Sequence, residues 1–450
     1  MGGVRLTGRE ALALLPYARR DALAFYAELL ARHGDTVSMP VAPRTKFHVL
    51  SRPEHVAHVL VGNQANYLKA RTYRPLTEVV GNGLLTSEGE HWARQRRLVQ
   101  PMFSRRHVVS FGGDMASAAT RAVDTWADDA RIEAATTMSA LALDVVGRAL
   151  FGADLTGDAA GVAPTMDLLM DRMIRVTSNP LFWITPNYHE WRTPNRRKAD
   201  AAKARLDAIV DRMIADRKRR GSGDGDGDGD LLDMLLAARD AESGTAMSEQ
   251  QVRDELMTFM VAGHETTANT LVWTFSLLST HPEARRRLES EVDSVLAGRV
   301  PDADDADKLE WTNAVVSEAL RLYPPAWTLE REAIADDEVD GVRIRAGSMV
   351  ATPPWLVHRH PEHWTNPEGF DPERFLPEAA RGRHKFAYLP FGGGRRQCVG
   401  SGFAMLEAVL ILAVITQRYR LDLAPGVRPR PDPMITLRPR GKVPMTVRAR

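Results

Sequence analysis

The chain has 450 residues, of which 44% are hydrophobic and 26% charged, and a formal net charge of +1. That is ordinary globular composition with no overall pull toward nucleic acid. Its one cysteine, Cys398, excludes a disulfide framework, a cysteine-rich zinc site and an iron–sulfur cluster, and suits a reducing cytoplasm. Length alone predicts two or three domains, whereas the spread of motifs along residues 1–450 favours one unit.

Met1 to Arg20 holds no apolar run long enough for a signal peptide or a membrane anchor. Thr36–Ser38 and Lys46–Leu50 are β-like pieces bounded by Gly34, Pro40, Pro43 and Pro53, and Ile344–Thr352 is expected to join them in a small sheet. Almost everything else has helical periodicity, so the expected fold is mainly α with a minor β region. In Gly89–Arg106, Trp92 and Arg96 stand four apart on one helix face. An indole N–H beside a guanidinium there can bind a carboxylate. Arg94, Arg97, Arg105 and Arg106, with Arg395, form either a basic patch for an acidic redox partner or a plain solvated face.

Residues 164–219 read as two helices joined by Ser178–Pro186, whose Leu181, Phe182, Trp183 and Ile184 are unusually apolar for a connector. The Gly-Asp repeat at 221–230 cannot bury a core and reads as a flexible linker; a calcium site there would need a β-roll repeat the sequence lacks. Ser248–Thr280 is the strongest helix. Ser248 and Gln251 make a capping box, Val252, Leu256, Phe259, Met260, Gly263 and Thr267 recur at helical spacing, and His281-Pro282 closes it. Its middle, Ala262-Gly263-His264-Glu265-Thr266-Thr267, gathers poor helix formers, and threonine hydroxyls bond back to carbonyls and bend a helix. An acid beside a hydroxyl at such a distortion can relay protons from water to a buried site.

Leu309–Tyr323 is a further helix, ended by Pro324-Pro325, in which Glu318 and Arg321 form an i,i+3 pair, common and weak by itself. Pro325–Arg331 and Asp371-Pro-Glu-Arg374-Phe375 follow. Then comes Phe391-Gly-Gly-Gly394-Arg-Arg396-Gln-Cys398-Val-Gly400, a thiol in a loop of glycines and arginines before a long apolar helix, Phe403–Tyr419. The apolar core of that helix, Phe403–Ile415, is short for a bilayer and carries Glu407, so it reads as buried. Cysteine binds a metal as the thiolate, which needs positive charge and donors. Arg395 and Arg396 offer charge, and the helix start offers a dipole end and free N–H groups. Gly394 and Gly400 let the backbone approach something large and flat. A lone thiolate is how haem iron is held when an O–O bond must break; the alternative is a cysteine that is simply a small buried hydrophobe.

The spacing F-x-x-G-x-R-x-C-x-G, complete in Phe391–Gly400, resembles the haem-ligand loop of the cytochrome P450 family. Four more motifs stand in that family's order: W-x-x-x-R at Trp92/Arg96, A-G-x-[D/E]-T-T at Ala262–Thr267, E-x-x-R at Glu318/Arg321 and P-E-R-F at Pro372–Phe375. The resemblance covers roughly Gly89–Tyr419. It implies the P450 fold, with haem b (iron protoporphyrin IX) buried between the long central helix and the cysteine loop. Cys398 would then be the axial ligand, in a loop shaped by Phe391, Gly394 and Gly400. Trp92, Arg96, Arg331 and Arg396 would hold the propionates, and Glu318, Arg321 and Arg374 would interlock beneath the haem. Thr266 would hydrogen-bond the oxygen being activated, and Glu265 would help deliver protons. Ala262, Gly263, Ala326, Trp327, Thr328 and Ile435 would line the substrate pocket, with the 178–186 region as its lid.

By the same resemblance the chain would be a cytoplasmic, monomeric, bacterial-type monooxygenase. It would insert one oxygen atom of O2 into a C–H bond of a lipophilic terpenoid, fatty acid, steroid or polyketide. No Gly-rich nucleotide fingerprint follows a strand, so the electrons would come from a separate ferredoxin and its NAD(P)H-dependent reductase. A peroxide-driven enzyme would not need Glu265 and Thr266, and a haem-based sensor or carrier would leave that pair unused.

Overall fold

Ser248 starts the helix around which the other elements pack. Its hydroxyl accepts the Gln251 N–H at 3.2 Å, and the Gln251 side chain accepts the Ser248 N–H at 2.8 Å, so the expected capping box forms and two orphan donors are satisfied. The helix runs Glu249–Thr280, and His281 ends it before Pro282 opens the next one. Leu256, Met260, Leu271, Val272, Trp273 and Phe275 bury it on several faces, as befits a helix inside a large core. Several of its hydroxyls are satisfied within the helix: Thr270 donates to the Thr266 carbonyl at 2.8 Å, Thr274 to Thr270 at 2.7 Å and Ser276 to Val272 at 2.7 Å. Back-bonding of this kind lets small polar residues sit in an apolar interior.

This computed structural model describes residues 3–42, 45–185, 187–191, 193–220, 229–242 and 244–450. A second buried helix, Ser401–Arg418, lies beside the central one, where the Thr267 hydroxyl donates to Glu407 Oε2 at 2.9 Å. Gly112–Asp124 covers its other side, with Phe111 and Phe403 in an edge-to-face contact. By length and composition Ser401–Arg418 is apolar enough to cross a membrane. Leu406 and Ala408–Ile415, however, are packed into the main apolar cluster, which runs from Leu76 to Val447. The helix is a core element.

The β region is a six-stranded sheet of β1 (Val4–Arg5), β2 (Thr36–Ala42), β3 (Thr45–Leu50), β4 (Tyr67–Lys69), β5 (Glu330–Ala333) and β6 (Met349–Ala351), in the order β1-β2-β3-β6-β5-β4. The expected pairing of 36–38 with 46–50 is present, with Ser38 opposite His48. The Ile344–Thr352 expectation needs correcting. A turn with Gly347 at φ +76° divides the segment. Ile344 closes a separate hairpin against Asp337, and only Met349–Ala351 reaches β3.

The region read as two helices is Thr156–Thr177 and Pro194–Arg220, joined through a turn at Pro180–Ile184. Phe182 is buried and the Trp183 N–H donates to the Thr177 carbonyl at 3.1 Å, but Leu181 and Ile184 are exposed. Residues 221–228 of the Gly-Asp stretch lie outside the described residues. Its last residue, Asp230, pairs with Arg217 and caps the helix Leu231–Ala237, so that end is anchored.

Candidate active site

The Cys398 loop is folded by its own backbone. The Cys398 N–H donates to the Phe391 carbonyl at 2.9 Å, and the Gln397 N–H to the Gly394 carbonyl at 3.1 Å. Gly394 sits at φ +66°, and a Cβ there would lie 1.9 Å from the Leu60 carbonyl oxygen. Glycine is therefore required by the neighbouring chain rather than by a flat ligand. Gly400 differs: an added Cβ would meet only the Phe103 ring, at 3.6 Å.

The expected source of charge at the thiol also needs correcting. The Gly400 N–H and the Arg96 guanidinium favour its anion, while burial pushes the thiol up overall. Arg96 is held there by donating to the Gln397 carbonyl at 2.8 Å. Arg396 turns away, pairing with Glu88, donating to the Ser87 carbonyl at 3.0 Å and lying 3.7 Å from the Trp92 ring centroid. Trp92 and Arg96, expected side by side, have different partners: Arg396 for the ring, the Gln397 carbonyl for the guanidinium. Cys398 has accessible surface although protein encloses it on all sides, so that surface opens inward. A metal cation at such a thiol would offset the cost of burying its anion.

A cleft of about 390 Å³ flanks the loop at Gly393, Arg395 and Arg396, and Leu60, Tyr67, Glu88, Trp92 and Arg331 line it as well. The β4–β5 register sets Lys69 directly opposite Arg331, a like-charge pair that is unfavourable unless an anion lies between. Lys69 donates to the Ser87 and Leu84 carbonyls at 3.0 and 3.3 Å, and burial, with Arg396 near, pushes it down to about 7. Burial also lowers Arg396 to about 10. Glu88 answers part of this charge. Glu255, which accepts the Leu84 N–H at 3.1 Å, is raised by burial to about 7. Arg331 and Arg396 on this cleft, with Lys69 close to both, supply the positive charge that a group carrying carboxylates, such as haem, would need. Sequence reasoning missed Lys69, because a three-residue strand offers no periodicity to read.

Below the loop, the fully buried Arg321 donates to both Glu318 oxygens at 2.6 and 2.8 Å, and to the carbonyls of His358, Pro367 and Gly369 at 2.9, 2.6 and 2.9 Å. Glu318 also accepts the Asp371 N–H at 2.9 Å. Arg374 places Nε 3.4 Å from the same carboxylate and donates to the Thr365 and Asn366 carbonyls. His358 is kept neutral by burial, down to about 3. It donates from Nδ1 to the Arg321 carbonyl and accepts the Leu389 N–H at Nε2. The network thus ties Arg321 to the segment entering the cysteine loop.

On the central helix, the Thr266 hydroxyl donates to the Ala262 carbonyl at 2.7 Å. Glu265 points elsewhere. It accepts the Thr436 hydroxyl at 2.6 Å, Thr436 in turn accepts Asn269 Nδ2 at 3.2 Å, and burial raises the Glu265 carboxyl. Gly263 stands where a Cβ would be 3.2 Å from Val146, a packing role.

Two pocket candidates turn toward the N-terminal helices. Trp327 packs with Tyr26 and Leu437 in a separate N-terminal cluster and donates its N–H to the Met434 carbonyl at 2.8 Å. Thr328 turns to the Tyr26 hydroxyl at 3.3 Å. Ala326 is half-buried, and Ile435 packs on the main core. The basic patch is largely answered as well: Arg97 pairs with Asp240 and Glu242 at 3.2 and 2.9 Å, Arg94 lies 3.9 Å from Asp240, and Arg105 pairs with Asp307 at 2.6 Å.

A thiol opening inward at the head of a buried helix, near a cleft lined by arginines and a long helix carrying Gly-x-Glu-Thr, is the arrangement of the haem-thiolate class of oxygenase. The chain belongs to the cytochrome P450 family: the family model described as Cytochrome P450 matches residues 12–444. It is similar to the cyclooctatin synthase of Streptomyces melanosporofaciens, 38% identical over 98% of this chain and 94% of that one. It is also similar to the cyclooctat-9-en-7-ol 5-monooxygenase of the same organism, 37% identical over 90% and 86%. Among solved structures, a cytochrome P450DA heme domain superposes with a TM-score of 0.84 at 29% identity, covering 95% of this chain and 92% of that one. The protein is a P450 monooxygenase with the mainly α architecture of that family.

Proposed function

We propose that Cys398 is the axial ligand of haem b and that the protein, acting as one unit, hydroxylates or epoxidises a lipophilic terpenoid. The electrons would come from a separate ferredoxin and its reductase. The observation that carries the ligand assignment is the inward-facing Cys398 thiol with the Gly400 N–H and Arg96 beside it. Bound haem supplies the O–O cleaving chemistry, to which a thiolate lends electron density.

The chain's own residues have four tasks. Arg96 and the Gly400 N–H stabilise the sulfur anion. Lys69, Arg331 and Arg396, with Trp92 beneath Arg396, receive the two carboxylates. Glu318, Arg321 and Arg374 fix the segment that carries the loop. Glu265, whose carboxyl burial raises and which accepts the Thr436 hydroxyl, and Thr266, the next residue, would pass protons through water between them. The substrate class rests on the relatives named for cyclooctatin compounds, which are terpenoids.

The test is the absorption spectrum of dithionite-reduced protein with and without carbon monoxide, on wild type and Cys398→Ala. A strongly red-shifted Soret band in the wild type, lost in the variant, is expected. A haem spectrum without that shift would remove Cys398 as the ligand.

A further inference from the structure

Strand β5 alternates. Arg331 and Ala333 are buried on one face, while Glu330 and Glu332 occupy the other. Arg331 lines the cleft beside the thiol loop. Glu332 is matched by Arg71, through two bonds of 3.1 Å. Glu330 has no such cation. Its Oε2 accepts the Thr72 hydroxyl at 2.6 Å, while Oε1 has no partner among the described residues and is not sealed from access either.

Like Cys398, Glu330 is enclosed by protein on all sides yet keeps accessible surface. The unmatched oxygen therefore faces an internal space. Tyr73, beside Thr72, has the same character. The strand itself borders the thiol loop: on its other face the Leu329 side chain lies 3.8 Å from where a Cβ on Gly392 would stand. The helix Arg74–Val80, which follows Thr72 and Tyr73, packs on the central helix.

We propose that Glu330 recognises a hydroxyl group on the substrate, its Oε1 bonding to the hydroxyl while Thr72 fixes the other oxygen, so that the enzyme oxidises a terpenoid alcohol in preference to a bare hydrocarbon. The proposal rests on the terpenoid monooxygenase reading above. Burial raises the Glu330 carboxyl, and a protonated carboxyl both donates and accepts, as a hydroxyl does. A hydrocarbon lying over Oε1 would cover a polar atom and return no bond to it. The hydroxyl must then be installed before this enzyme acts, by an earlier oxygenation or by water capture at the end of a terpene cyclisation.

The experiment titrates the holoenzyme with two matched pairs, cedrol against cedrane and phytol against phytane, and reads the haem spin-state shift. In the wild type the alcohols should bind about tenfold tighter, the scale of one buried hydrogen bond. Glu330→Leu should bring that ratio near one, while Glu330→Gln, which keeps a donor and an acceptor, should retain most of it. Wild-type binding that does not favour the alcohols, a result that needs no variant, overturns the proposal. So does a Glu330→Leu protein that folds, keeps haem and still prefers the alcohol; both outcomes leave the terpenoid reading intact. No response to any of the four compounds overturns both, and a missing thiolate band in the carbon monoxide spectrum removes the underlying haem assignment.

Discussion

Replacing Gly394 and Gly400 separately by alanine tests why this loop is glycine-rich. At Gly394 the new Cβ would sit 1.9 Å from the Leu60 carbonyl oxygen, and the backbone is at φ +66°. The left-handed conformation costs about 1–2 kcal/mol for a residue with a Cβ, and relieving an overpacked contact about 1–3 kcal/mol more. At about 2.1 cal/mol/K per residue, a chain of this length loses about 1 °C of Tm per kcal/mol, so Gly394→Ala should melt about 2–5 °C lower. Gly400 has φ −89° and its nearest new neighbour is the Phe103 ring at 3.6 Å, so Gly400→Ala should move the Tm by less than about 1 °C. Thermal unfolding followed by circular dichroism, with haem content measured on the same samples, separates the two. If Gly394→Ala leaves the Tm unchanged, or if both variants lose haem equally with no change in melting, the glycine at 394 serves the cofactor and the steric argument is wrong.

Glu318→Gln leaves the fully buried Arg321 without its counter-charge. Breaking such a pair costs about 3–5 kcal/mol, so a Tm lower by about 3–5 °C is expected, and Glu318→Leu/Arg321→Leu together should fall less than the sum of the single changes. Glu407 is raised by burial to about 8, with only the Thr267 hydroxyl stabilising its anion. Between its ordinary value of 4.5 and about 8 the native state holds a proton the unfolded state has lost. Stability should therefore decline as pH rises through that window, by at most about 1.4 kcal/mol per unit. Denaturant titrations from pH 5 to 8 should show Glu407→Gln flattening the decline, and an unchanged slope would show that Glu407 is not its source.

What was legible in the sequence is what the chain encodes locally. Ser248 with Gln251, and Glu318 with Arg321, each lie three residues apart on one helix, so their pairing follows from helical geometry alone. The chemistry of the thiol was not legible in the same way. Arg395 and Arg396 are its neighbours in sequence, but the guanidinium that faces the sulfur is Arg96, delivered by a different helix. Trp327 shows the same limit in an apolar residue. Its place near the site is readable, but which cluster receives the ring depends on the N-terminal helices Gly8–Arg20 and Ala22–His33, whose packing no motif announces.

Glu265 and Thr266 carry that limit into the chemistry. Consecutive helical residues point about 100° apart, so an acid and a hydroxyl that adjoin in sequence cannot both face one reacting atom from a regular helix. The structure shows the division: Thr266 keeps its proton on the Ala262 carbonyl, while Glu265 accepts from Thr436 at the hairpin Pro431–Pro433 and Leu437–Pro439. For the two to exchange a proton, either Glu265 leaves Thr436 or water joins them. Burial raises the Glu265 carboxyl, and the Thr436 hydrogen bond works against that shift. Glu265→Gln should therefore slow turnover more than it changes substrate binding, and an unchanged turnover rate would show that the carboxyl moves no proton.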